Sequence, residues 1–116
     1  MKAQERPKEL KGITHKMSTG CGSIYVTVNE YNNQVFEVFA KLGKAGGCSA
    51  CQTEALTRCI SVGLRSGVDL SEYHKTLEGI HCSSATFAEG EQILSCPDAI
   101  AKVLKTYLKK EDGENE

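Results

Sequence analysis

The sequence predicts an α+β domain, a small antiparallel meander of about three strands packed with about three helices. Two observations carry this. Apolar and polar residues alternate between Ile13 and Ala40, and beyond Ser49 the apolar period lengthens to that of a helix. Gly67, Gly79 and Pro97 punctuate the second half where helices stop and start.

The elements follow in order. Residues 1–11 are polar, contain Pro7 and read as a flexible arm. Ile13, His15 and Met17 alternate with Thr14, Lys16 and Ser18 in a first strand, and Ile24, Val26 and Val28 with Tyr25 and Thr27 in a second. Asn29 to Asn33 is turn chemistry, and Phe36, Val38 and Ala40 alternate with Val35, Glu37 and Phe39 in a third strand. Short connections make these strands antiparallel neighbours.

Ser49 with Gln52 reads as a capping box for a first helix, whose apolar face is Ala55, Leu56, Cys59, Ile60 and Gly63. Cys59 is thereby expected in the core. Asp69 with Glu72 caps a shorter helix ending near Gly79. Pro97 suits the first position of a third helix, which puts Cys96 at its N-cap. Ile100, Val103, Leu104, Tyr107 and Leu108 give that helix the strongest period in the chain. The domain is expected to span 12–110, leaving 111–116 as a disordered acidic tail.

Composition narrows the functional classes. Fourteen Lys+Arg against fifteen Asp+Glu give a formal charge of -1, so no general basic field points to DNA or RNA. No stretch approaches the length of a membrane span. Met1 to Leu10 lacks the apolar run of a signal peptide, and six cysteines without one predict a reducing, cytoplasmic setting. There, metal binding or thiol chemistry is expected before disulfides.

Four cysteines sit at breaks in periodicity. Cys21 lies between Gly20 and Gly22, Cys48 follows Gly46-Gly47, Cys82 follows the second helix and Cys96 opens the third. A helix N-terminus favours the thiolate at Cys48 and Cys96, and thiolate is the form that binds zinc. Spacing alone leaves the set open, because any four of the six cysteines could serve and Cys48-Ser49-Ala50-Cys51 is the single CxxC knuckle. That knuckle at a helix start is also the geometry of a thiol redox pair, Cys48 with Cys51. His15, His74 and His81 show no ligand spacing among themselves. Gly43-Lys44-Ala45-Gly46-Gly47 before a helix has the makings of an anion-binding turn, with Arg58 and Arg65 near in sequence. It is not a Walker A loop, and its glycines also suit a backbone wrapped around a metal.

Five ordered segments resemble the TSCPD family: Thr19-Gly20-Cys21-Gly22, Gly43 to Cys48, Leu64-Arg65-Ser66-Gly67-Val68, Gly79-Ile80-His81-Cys82 and Ser95-Cys96-Pro97-Asp98-Ala99-Ile100. The resemblance covers residues 6–108, with Leu94 where the family name has Thr. That domain is best known at the C-terminus of adenosylcobalamin-dependent ribonucleotide reductases and also occurs as short stand-alone proteins. The resemblance implies that Cys21, Cys48, Cys82 and Cys96 bind Zn2+ in a structural role, with Cys51 and Cys59 outside the set.

It further implies a module of deoxyribonucleotide metabolism that is not catalytic alone and that engages a nucleotide or a ribonucleotide reductase subunit; the glycine-rich turn read above makes Lys44, Gly46, Gly47, Arg58 and Arg65 the place expected for a nucleotide phosphate. The competing expectations are a Cys48/Cys51 redox shuttle serving a reductase, and a homo-oligomer that acts as a ligand-sequestering or interaction surface.

Overall fold

The computed structural model describes residues 2–43, 47–83, 85–88 and 90–114. The described chain is α+β, with a three-stranded antiparallel sheet, three helices and a small two-stranded sheet.

β1 (Lys11–Thr19), β2 (Gly22–Tyr31) and β3 (Gln34–Leu42) form the meander in the order β1-β2-β3. Each strand is longer than the alternation alone marks out. The turn expected over Asn29 to Asn33 contracts to Asn32-Asn33, both at positive φ (54° and 64°), the conformation that a tight hairpin requires. The first hairpin is equally tight. Thr19 pairs with Gly22, which leaves Gly20 and Cys21 as its loop.

One face of the sheet carries Ile24, Val26, Val28, Val38, Ala40 and Leu42 into the core, where they meet Ala99, Ile100, Val103 and Leu104 of α3 (Cys96–Glu114). α3 thus passes the expected domain end at residue 110.

α1 (Gly47–Arg65) begins two residues before the expected cap, so Ser49 lies inside its first turn. Its buried face differs from the apolar stripe read from the sequence. Thr53, Thr57, Ile60 and Ser61 are buried, whereas Cys59 is exposed and leaves the core it was assigned to. The reason is hydrogen bonding. The Ser61 hydroxyl accepts from the Val38 amide at 2.9 Å and donates to the Val38 carbonyl at 2.7 Å, and the Thr57 hydroxyl accepts from the Ala40 amide at 3.2 Å. α1 therefore lies along the outer edge of β3 and supplies what a fourth strand would.

α2 (Leu70–Leu77) starts at Asp69 as expected, with the carboxylate accepting from the Ser71 amide at 2.9 Å. It packs against α3, and its Tyr73 ring reaches α1 where Gly63 leaves room; any Cβ there would collide with the phenol. β4 (Thr86–Ala88) and β5 (Glu91–Ile93) form the second sheet, a hairpin too short to show in the sequence period.

Residues 2–10 have no strand or helix, yet they are anchored. The Gln4 amide donates to the Arg65 carbonyl at 2.9 Å, and the Arg6 Nε donates to Glu37 at 2.8 Å. Glu37 is fully buried and also accepts from Asn29 at 2.7 Å. A buried carboxylate needs such partners, so the arm is part of the fold.

Candidate functional site: a four-cysteine cavity

Cys21, Cys48, Cys82 and Cys96 line one cavity of about 440 Å3. They arrive from four places: the β1–β2 turn, the first turn of α1, the segment after α2 and the first turn of α3. Hydrogen bonds set three of them.

Cys21 is set by Thr19, whose hydroxyl accepts from the Cys21 amide at 3.1 Å and donates to the Gly22 carbonyl at 2.7 Å. The same hydroxyl lies 3.8 Å from the Cys96 sulfur, so one side chain touches two of the four positions.

Cys82 and Cys96 are set together. Ser95, not Cys96, is the N-cap of α3: its hydroxyl accepts from the Asp98 amide at 3.1 Å, as a cap must. The same hydroxyl donates to the Ile80 carbonyl at 2.6 Å. Asp98 accepts from the Gly79 and Leu94 amides, both at 3.0 Å, and from Lys102 at 3.1 Å. The Cys82 amide donates to the Leu94 carbonyl at 3.0 Å. Three bonds therefore stitch 79–82 to 94–98 and bring the two cysteines to one corner. Burial alone would raise the Asp98 carboxyl; the Gly79 and Leu94 amides and Lys102 outweigh it and leave the carboxyl below its ordinary value.

Burial pushes the Cys96 thiol up, the Thr19 hydroxyl draws it partly back, and the Cys21 and Cys82 thiols push it further. These sulfurs sense one another. Cys96 is buried, Cys21 and Cys82 are half-buried and Cys48 is exposed.

Thiol is the strong metal donor here, since no carboxylate or imidazole lines the cavity among the described residues. Four cysteines are a common structural zinc set, so the donor chemistry fits. Sharing a cavity is less than sharing a coordination shell, however. Among the described residues, no group of three or more His, Cys, Asp or Glu side chains is arranged to hold a metal ion.

The remaining sequence candidates disperse. Cys51, one turn beyond Cys48, lines a different cleft together with Arg58. Gly47 opens α1 at φ 85°, while Lys44 and Gly46 lie outside the described residues. Arg65 sits at the far end of α1, its Nε buried with no hydrogen-bond partner among the described residues. His81 is exposed, and His15 reaches α3 instead, its Nε2 2.7 Å from the Tyr107 hydroxyl. Thr19, Ser95 and Asp98 were not singled out by sequence reasoning. The Ser95-x-x-Asp98 spacing, a capping signature, was the available signal.

Fold and site together define a small α+β domain whose far-separated cysteines face one cavity. The chain belongs to the TSCPD family: the TSCPD domain matches residues 1–108. Over 68 residues, or 58% of this chain, it is 38% identical to the vitamin B12-dependent ribonucleotide reductase of Streptantibioticus cattleyicolor, covering 11% of that protein. The same identity and span relate it to the reductases so named from Streptomyces clavuligerus and Streptomyces coelicolor, covering 7% of each. The chain thus spans about a tenth or less of the curated relatives it matches. No solved structure matches it. Among the described residues, no helix is long and apolar enough to cross a membrane.

Proposed function

We propose that this chain is a zinc-stabilised, non-catalytic binding module of deoxyribonucleotide metabolism, with Cys21, Cys48, Cys82 and Cys96 as the metal ligands. The observation that supports it is the meeting of these four cysteines, and neither of the other two, in one cavity. Four thiolates would fill a tetrahedral zinc and leave no place for water or substrate, so the metal's role is to hold turn, sheet and helices together. The relatives' name supplies the setting, in which the module engages a nucleotide or a reductase partner.

Metal analysis of the purified chain tests this. The expected result is about one zinc per chain, falling towards none in Cys82→Ser and Cys96→Ser while Cys51→Ser and Cys59→Ser keep it. A metal-free native protein, or loss of metal in Cys51→Ser equal to that in Cys96→Ser, overturns the assignment. Reactivity of Cys51 with a disulfide probe, lost together with reductase support in Cys51→Ser, would instead favour a thiol shuttle.

A further inference from the structure

The outward face of the sheet is laid out in rows by the strand register. Gly12, Asn29 and Glu37 face one another across the three strands, and Arg6 of the arm closes over this row by bonding to Glu37. The next row is Thr14, Thr27 and Phe39, and the one after it Lys16, Tyr25 and Lys41. Nothing in the described chain closes over these two.

Phe39 is 39% and Tyr25 37% exposed, an unusual pair to leave wet on a sheet face. With Arg58 and Glu54 of α1 they line a cleft of about 760 Å3, a size suited to a small ligand.

Its chemistry is specific. Lys16 and Lys41 flank Tyr25 across the strands, and the Lys16 ammonium lies 5.9 Å from the ring centroid. Gly43 abuts the edge of that ring, where a Cβ would stand 3.2 Å from Cε2. Arg58 is held at the rim by Glu54 at 3.4 Å and remains 71% exposed, so its fork is available. The Thr14 and Thr27 hydroxyls bond each other at 2.8 Å and keep lone pairs for a sugar or base. Rings that stack, beside two lining cations against one carboxylate and with Lys16 next to Tyr25, call for a planar group joined to an anion.

We infer that this cleft binds a nucleoside phosphate, its base stacked on Phe39 and Tyr25 and its phosphate held between Lys41 and Arg58. The inference rests on the binding-module reading and gives it a ligand class and a place. The Arg6 latch closes the face at one end, and the stacking rings and cations are confined to two rows, which suits a mononucleotide rather than a running strand of nucleic acid.

Calorimetric titration of the full chain with ADP, dADP, adenosine, pyrophosphate and a deoxythymidine decamer, with zinc content measured on each sample, tests it. ADP and dADP are expected to bind about tenfold more tightly than adenosine or pyrophosphate, and Phe39→Ala and Lys41→Glu to weaken them about tenfold. Lys105→Glu, remote from the cleft, should bind as the parent does. Nucleotide binding undiminished in both cleft variants would place the ligand elsewhere and overturn the site, leaving the module reading intact. Absence of nucleotide binding in zinc-loaded protein would overturn the inference while the metal assignment stands on its own measurement. Tighter binding of the decamer than of ADP would overturn the mononucleotide assignment.

Discussion

Cys48 and Cys51 stand one helical turn apart on α1 and face different cavities. The cavity that Cys48 shares with Cys21, Cys82 and Cys96 is walled by turns and helix starts whose amides are taken up by Thr19, Ser95 and Asp98. Around Cys51 lies a regular sheet face with exposed rings and cations and few bonds among its side chains. The first region is built to hold its own residues still, and the second leaves its groups free to meet something else. That contrast is what the proposed division into a structural corner and a recognition surface rests on.

The sharpest way to break the contrast is at Asp98. Asp98→Ala leaves the Gly79 and Leu94 amides and Lys102 without their buried acceptor, and about 3 kcal/mol of stability is expected to go in urea denaturation. Zinc content should fall with it.

Arg6 tests the other region. Arg6→Ala strips the buried Glu37 of its cation, and because Arg6 is itself 43% exposed the expected loss is smaller, about 2 kcal/mol. The thiol corner should keep its metal.

Asp69, far from both regions, sets the baseline. Asp69→Ala removes the α2 cap at a cost of about 1 kcal/mol at neutral pH. The Ser71 amide and hydroxyl hold the Asp69 carboxyl below its ordinary value, so its contribution is present above that value and lost as pH falls through the lower folded one. Denaturation midpoints of parent and variant should differ at pH 7 and converge only once the pH has fallen below the lowered folded value.

The meander was legible because Val26, Val28, Val38 and Ala40 alternate cleanly, and burial on one face demands that period. α1 was legible as a helix and misread as to its face. Thr53, Thr57 and Ser61 are buried to bond the β3 edge, and an apolar period is blind to hydroxyls that go inside for that reason. The same blindness placed Cys59 in the core. Cys96 was moved one position because a cap needs an oxygen acceptor, which Ser95 has. β4 and β5, three residues each, are too short to carry a period. The cysteine quartet owed its selection to family resemblance; spacing could not have chosen it from six, since the turns that bring 79–82 onto 94–98 depend on Asp98 reaching back nineteen residues. The outward cleft was half visible, in that Arg58 was singled out, whereas its partners Tyr25, Phe39 and Lys41 come together only through strand register.

The hydroxyls of Ser61 and Thr57 have one more effect. They occupy the rim of the sheet at Val38 and Ala40, while β1 on the far side pairs with β2 alone. Growth of the three-stranded sheet by strand pairing is thereby confined to a single direction. Two copies joined through β1 would use up the one open margin of this three-stranded sheet among the described residues, and pairing through it stops at two copies instead of extending into a fibre.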